Sequence, residues 1–286
     1  METAIRMLDI AHSFGEKEVL RGISLSVERG EILGLLGPSG AGKTTLIKIL
    51  TGQLAPSSGS VFLGENNMAE VKTEAYRQIG MMMDHFGFYE RLSCMDNLRL
   101  CADLYGVCTE RIREILRSVG LDADRKCPVH KLSKGMKGRL ALARAVLHSP
   151  TYLFLDEPTS GLDPAAARQI HELIGHLREE GTTIFLTTHN MVEAEKLCKH
   201  VALLHEGEIV EYGEPQEINR RYDHIRKLKI RLYDGTNTEL PNTREAADLL
   251  YKYMQKGQIE TIHSTEPDLE SVFLELTGRG LEEETV

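Results

Sequence analysis

The sequence predicts an α/β protein: a large domain on a mostly parallel sheet, followed by a small appended α/β unit. Two observations carry this. Apolar runs of strand length alternate with amphipathic helical stretches between residues 32 and about 204. Beyond Pro215 a shorter, separate set of mixed elements begins.

Taken in order, EILGLL ends a strand at Leu36, and TTLIKIL after the next loop is an apolar helix. In TERIREILRSVG, Ile112, Ile115, Leu116 and Val119 fall at i, i+3, i+4 and i+7, and Gly120 stands where a helix stops. TYLFLDEP is an apolar strand ending in acids. In LDPAAARQIHELIGHL, Asp163 suits the cap and Pro164 the first helical position, and Ile170, Leu173, Ile174 and Leu177 repeat the helical spacing. TTIFL is a further strand, and VALLHEGEIVEYG reads as two strands joined by a turn at Glu206 and Gly207. After Glu214 and Pro215 a polar helical connector leads to a strand at 227–232 and a turn at Asp234 and Gly235. A helix at 243–256, a strand at 258–262 and a helix at 268–276 complete the tail. The expected domains are 4–215 and 222–280, and no internal repeat is evident.

At 286 residues there is room for about two domains with full cores. Hydrophobic residues make up 41% and charged residues 27%, with no low-complexity tract, so the chain is expected to fold throughout. A net charge of −9 argues against holding nucleic acid or anionic lipid by electrostatics alone. No apolar run approaches the ~18 to 20 residues of a membrane-spanning helix. The start METAIRMLDIAHSFGEKEVL lacks the basic and apolar regions of a secretory signal, so a cytoplasmic location is expected. Five cysteines without a CxxC pair suggest neither a disulfide framework nor a zinc site. Cys94, Cys101 and Cys108, spaced by seven, fit one helix face as small buried hydrophobes.

Gly37, Pro38, Ser39, Gly40, Ala41, Gly42, Lys43 and Thr44 form a full GxxxxGK[ST] match between a strand and a helix, with Thr45 continuing into that helix. Glycines let backbone N–H groups turn in around phosphate oxygens, and the helix N-terminus adds its positive end. Lys43 reaches the terminal phosphates and Thr44 offers a hydroxyl to Mg²⁺.

A phosphate loop leaves kinases, GTPases and ATPases open, and a second carboxylate element narrows the choice. Asp156 ends an apolar strand, where it can hold Mg²⁺ through water. Glu157 beside it can polarise an attacking water.

GPSGAGKT, LSKGMKGRL, LFLDEPTSGLDP and TTHNMVEAEKLC occur in an order that resembles the ATPase subunit of an ABC transporter, over about residues 4–215. The resemblance implies a P-loop NTPase fold of the ABC type with a helical subdomain at about 85–150, binding ATP with Mg²⁺. It implies that Ser133 and Gly135 bind the γ-phosphate of ATP held by an opposite subunit, and that Asp163 lies in the loop through which two sites sense each other. It further implies that His189 contacts the γ-phosphate and orients Glu157, and that Phe14 stacks on adenine.

Two departures stand out. LSKGM places Lys134 and Met136 where the common signature has glycine and glutamine, but keeps Ser133 and Gly135; LSKGMK is similar to bacterial export ATPases. Where the family usually has a glutamine, Asp84 stands; an acid accepts Mg²⁺ or water and cannot donate an amide hydrogen, so Asp84 is taken as a metal contact. Phe86, Phe88 and Tyr89 fall in the segment that the resemblance assigns to the permease-facing region, and filling the helical subdomain accounts for them equally well. EPDLESVFLELTGR is similar to the ending of bacterial drug, antibiotic and peptide export ATPases.

The resemblance thus implies an ATPase that powers a separate transmembrane permease from the cytoplasmic side of the membrane, paired with an identical or paralogous subunit, with no nucleic-acid partner. An importer subunit is the nearer alternative, opposed by LSKGMK and the C-terminal segment. A soluble ATPase of DNA repair or translation is the other. Only about 90 residues separate the phosphate loop from the signature, leaving no room for the long coiled coil of the repair forms, and the chain has one ATPase module where translation forms usually have two.

Overall fold

The computed structural model describes residues 2–70, 73–83, 87–222, 227–241, 243–265 and 267–278. The chain divides into two units, 1–212 and 213–286.

The first unit starts with β1 (Thr3–Phe14) and β2 (Lys17–Glu28), antiparallel and joined by a tight turn. Met7 and then Ile10 point inward, because the register shifts between them at Asp9, whose φ is 52°. All five residues of β3 (Ile32–Leu36) are buried, as expected of a parallel strand covered on both faces. It feeds the phosphate loop and α1 (Lys43–Leu50), and β4 (Ser58–Leu63) and β5 (Asn66–Asn67) then extend the first sheet in the order β2-β1-β4-β5.

After α2 (Thr73–Tyr76), β6 (Ile79–Met82) forms one edge of a six-stranded sheet. Next come α3 (Cys94–Tyr105), α4 (Thr109–Ser118) and α5 (Lys134–Val146), which pack on one another. Then β7 (Tyr152–Asp156), α6 (Pro164–Glu179), β8 (Thr183–Thr188), α7 (Met191–Leu197), β9 (His200–His205) and β10 (Glu208–Gly213) complete the alternation. The strand order is β10-β9-β3-β8-β7-β6, with β3, β6, β7, β8 and β9 parallel. Ile5, Met7 and Leu20 of the first sheet meet Leu35, Phe154 and Phe185 of the second and Leu46 and Ile47 of α1 in one core.

The second unit contains α8 (Pro215–Arg221), β11 (Lys227–Leu232), β12 (Asn237–Pro241), α9 (Arg244–Gln255), β13 (Ile259–Thr265) and α10 (Leu269–Thr277). Its sheet is antiparallel in the order β12-β11-β13. Asp268 and Ser271 close a capping box on α10, whose Leu269, Val272 and Phe273 are buried.

Three expectations change. The stretch after Pro215 is not a free connector: α8 buries Pro215 and Ile218 and packs against α10. Cys94 and Cys101 lie on α3, but Gly106 ends that helix in the left-handed conformation, so Cys108 caps α4 instead. On α6, Ile170 and Ile174 are buried, while Leu173 and Leu177 are half-buried and line a cleft of about 620 Å³ shared with α4 and α5.

Candidate functional site: a phosphate loop joined to two acids and a histidine

Because β3, β7 and β8 are parallel neighbours, their C-terminal ends open at one edge, with Asp156 opposite Thr187 and Leu36 opposite Thr188. The loop at 37–42 leaves β3 there. A Cβ on Gly37 would run into the carbonyl of Leu204, so only glycine allows this approach to β9. Gly42 precedes α1 with φ 112°, where a Cβ would also stand 2.8 Å from Leu20.

Lys43 is 7% exposed. Its ammonium donates to the carbonyls of Gly37 at 2.6 Å and Pro38 at 3.2 Å, and lies 3.4 Å from Glu157 Oε1. Thr44 Oγ1 donates to Asp156 Oδ2 at 2.9 Å. The other carboxylate oxygen of Asp156, Oδ1, accepts from Thr187 Oγ1 at 2.6 Å. Asp156 itself is only 3% exposed, and two directed hydroxyls offset the burial of its charge.

Glu157 has φ 51°, a left-handed conformation that is costly for a residue with a Cβ. Its N–H donates to the carbonyl of Thr187 at 3.1 Å and lies 3.3 Å from Thr187 Oγ1. This backbone turns the side chain out of the strand line, and Glu157 Oε2 meets His189 Nδ1 at 2.8 Å. The structure thus brings Lys43, Thr44, Asp156, Glu157 and His189 into one connected set. Thr187, which sequence reasoning did not single out, ties its two acids together; the available signal was the hydroxyl pair Thr187 and Thr188 directly after the apolar run Ile184 to Leu186.

The remaining expected residues lie outside that set. Ser133 caps α5 and accepts from Met136 N at 3.2 Å. Gly135 is buried, and a Cβ there would meet Ala166 Cβ at 2.7 Å, so α5 and the first turn of α6 need a glycine between them. Asp163 caps α6, accepting from Ala165 N and Ala166 N at 3.0 Å each. Lys134 extends to Gly161, where a Cβ would overlap its ammonium, so the unusual signature lysine reaches the SGLD loop of its own chain. Phe14 is 54% exposed at the end of β1, its ring edge-on to His12 at 4.6 Å. Phe88 lies under the Arg144 guanidinium at 4.5 Å, and Tyr89 is exposed while its backbone is held by Asn97. Asp84 and Phe86 lie outside the described residues.

The model of the ABC transporter family matches residues 20–160. A fluoroquinolones export ATP-binding protein of Mycobacterium tuberculosis is 39% identical over 283 residues, covering 97% of this chain and 93% of that protein. The chain belongs to the ATP-binding subunits of ABC transporters. A bacitracin transport ATP-binding protein of Bacillus licheniformis is 39% identical over 229 residues, 79% of this chain and 72% of that one. A solved ATP-binding subunit of an ABC transporter superposes with a TM-score of 0.70 at 29% identity, covering 77% of this chain and 93% of that chain. This ABC ATPase therefore binds and hydrolyses ATP and works with a membrane transporter. Among the described residues no helix is long and apolar enough to cross a membrane.

Proposed function

We propose that this ABC ATPase drives export of a drug, antibiotic or peptide through a separate permease, from the cytoplasmic face of the membrane, as one of a pair of subunits closed head to tail by ATP. The export assignment is supported by relatives named for fluoroquinolone, bacitracin and lantibiotic transport. The chemical assignment rests on one observation: Lys43, Glu157 and His189 form a continuous chain of contacts beside the Thr44–Asp156 pair.

In that reading the amides of the loop and Lys43 hold the phosphates of ATP. Lys43 exchanges its contact with Glu157 for a phosphate oxygen, which frees the carboxylate to face water. Glu157 accepts the proton of the attacking water, and His189 holds Oε2 so that Oε1 is aimed at it. Phe14 supplies an exposed ring for the adenine, and Tyr89 belongs to the surface that meets the permease. Ser133, with Gly135, faces the phosphates of the neighbouring subunit, and Asp163 lies between the two sites.

The donor set suits Mg²⁺. One buried carboxylate and one hydroxyl, both oxygen ligands, match an ion that keeps several waters and takes phosphate oxygens. Among the described residues no group of three or more His, Cys, Asp or Glu could form a closed metal cage. Thr44 and Asp156 would hold the ion, with Asp84 as a further contact, and when bound it neutralises charge on the phosphates.

Replacing Glu157 by Gln tests the chemical step. ATP binding is expected to persist while turnover falls at least about 10²-fold; wild-type turnover would remove Glu157 from the role. Lys43→Ala should weaken nucleotide binding by about 1.5 to 3 kcal/mol, the usual scale of a charge-assisted contact. Mixing Lys43→Ala with Ser133→Arg chains tests the shared site. In a mixed dimer one site carries both lesions and the other neither, so nucleotide trapping should appear only in the mixture, at up to one nucleotide per dimer. Mixed dimers that trap no more than either parent would refute the sharing.

A further inference from the structure

The parallel ladder between β7 and β8 stops at Asp156 opposite Thr187. Glu157 and His189 lie beyond that rung; the sheet reaches them only through Glu157 N, bonded to the Thr187 carbonyl at 3.1 Å, and through Thr188, opposite Leu36 on β3, which leaves the 2.8 Å separation of their side chains to further contacts. Beneath them is a buried carboxylate on a third element. Glu193 of α7 is 2% exposed and receives hydrogen bonds from three separate segments.

Thr159 Oγ1, two residues after Glu157, donates to Glu193 Oε1 at 2.6 Å. Thr188 Oγ1, the residue before His189, donates to Oε2 at 2.7 Å. His171 Nε2, on α6, meets Oε1 at 2.8 Å, and against a carboxylate this nitrogen carries the proton and donates. Burial alone would push the Glu193 carboxyl up, but the bonds from His171, Thr159 and Thr188 outweigh it and hold the group below the ordinary carboxylate range. Two further bonds tighten the His189 side: Asn190 N donates to Thr188 Oγ1 at 3.0 Å, and Glu193 N donates to Asn190 Oδ1 at 3.0 Å.

The turn carrying Glu157 is rigid on its own account, with Ser160 N bonded to the Glu157 carbonyl and Leu162 N to that of Thr159. Fixing Thr159 therefore fixes Glu157, and fixing Thr188 and Asn190 fixes the backbone on both sides of His189. One carboxylate holds Thr159 and Thr188, and Thr188 Oγ1 together with Glu193 N in turn holds Asn190.

We propose that Glu193 is a positioning residue for ATP hydrolysis: by fastening Thr159 and Thr188 together it sets the Glu157–His189 pair, and His171 holds the fastening carboxylate in place. The proposal rests on the reading of Glu157 and His189 given above. Glu193 touches neither water nor nucleotide in this role. It acts through the two side chains it spaces, where a displacement of about 1 Å can cost about 10²-fold in rate.

The test uses the full chain and compares kcat, KM for ATP and nucleotide affinity. Glu193→Gln keeps the volume but presents an amide donor to three donors. It is expected to lower kcat about tenfold while KM and nucleotide affinity stay within about twofold of wild type. In a His189→Ala background, followed by single-turnover phosphate release, the same substitution should cost less than about twofold, because the pair it positions is already broken. Thr159→Val removes one bond and Thr188→Val two, the one to Glu193 and the one from Asn190 N; each should show the same kcat-only loss, about threefold or more, which keeps the test valid if Glu193→Gln does not fold. The proposal is overturned if the Glu193 variant, or both threonine variants where it does not fold, retain wild-type kcat. It is equally overturned if the loss is as large in the His189→Ala background as in wild type. Wild-type turnover by Glu157→Gln would instead strike the underlying reading of the site, so the two failures are separable.

Discussion

Replacing Thr187 by Val changes almost nothing in shape and removes one hydroxyl. In the native structure that hydroxyl donates to Asp156 Oδ1 at 2.6 Å, inside a strand whose residues are all buried. Asp156 keeps its bond from Thr44 at 2.9 Å and Glu157 N keeps the Thr187 carbonyl at 3.1 Å, so the variant removes one charge-assisted bond and, besides it, the longer 3.3 Å share that Thr187 Oγ1 has in Glu157 N. Such a bond contributes about 1.5–3 kcal/mol. For a unit of residues 1–212, an unfolding entropy of about 2.1 cal/mol/K per residue gives about 0.45 kcal/mol/K, so Tm should fall by about 3–7 °C. Thr187→Ser keeps the hydroxyl and loses a methyl group, about 1 kcal/mol or about 2 °C. Differential scanning calorimetry of the nucleotide-free chain separates the two variants. If Thr187→Val melts at or above Thr187→Ser, the bond to Asp156 does not carry the stability assigned to it.

Two more substitutions probe other parts of the argument. Glu31 is buried with neither carboxylate oxygen accepting a hydrogen bond, although Lys199 and His200 lie within ion-pair range, and burial raises its carboxyl above the ordinary 4.5. The native state therefore keeps the Glu31 proton where the unfolded chain has released it, and stability falls as pH rises from 4.5 through the raised value; Glu31→Gln should melt above wild type at pH 8, with the gap closing toward pH 4.5, as a series of melts in matched buffers would show. Gly135→Ala places a Cβ against Ala166 and should cost about 1–3 kcal/mol without any nucleotide present; an unchanged nucleotide-free Tm would leave Gly135 with a ligand role alone.

The parts of the fold that were legible in the sequence are those where local chemistry and tertiary demand agree. Asp163 and Pro164 start α6 as their types require, and Glu206 and Gly207 both adopt positive φ in the turn between β9 and β10. The long first strands were less legible because β1 changes its inward phase at Asp9, which breaks the alternation that marks a strand. β12, Asn237–Pro241, went unread because it opens on the polar run Asn237 to Glu239, ends in a proline and buries none of its residues fully. At the site, residue type and spacing picked out Lys43, Thr44, Asp156, Glu157 and His189, which the structure brings together. The residues that hold these groups, Thr187, Thr159 and Glu193, act through contacts made only when β7, β8, α6 and α7 come together. For Gly135 the resemblance implied a ligand role, while the fold adds a reason of its own, the close approach of Ala166.

The left-handed backbone at Glu157 has a bearing on how this chain would respond to selection. A residue with a Cβ at φ 51° costs of order 1–3 kcal/mol, which asparagine or glycine largely avoids. The position to which the proposed mechanism gives the proton of the attacking water is therefore one where the fold alone would prefer a different amino acid. A library of variants screened for heat resistance without an activity filter should drift toward Asn or Gly at 157, yielding sturdier proteins that no longer turn over ATP. Sequences that keep glutamate there carry the mark of selection for work rather than endurance.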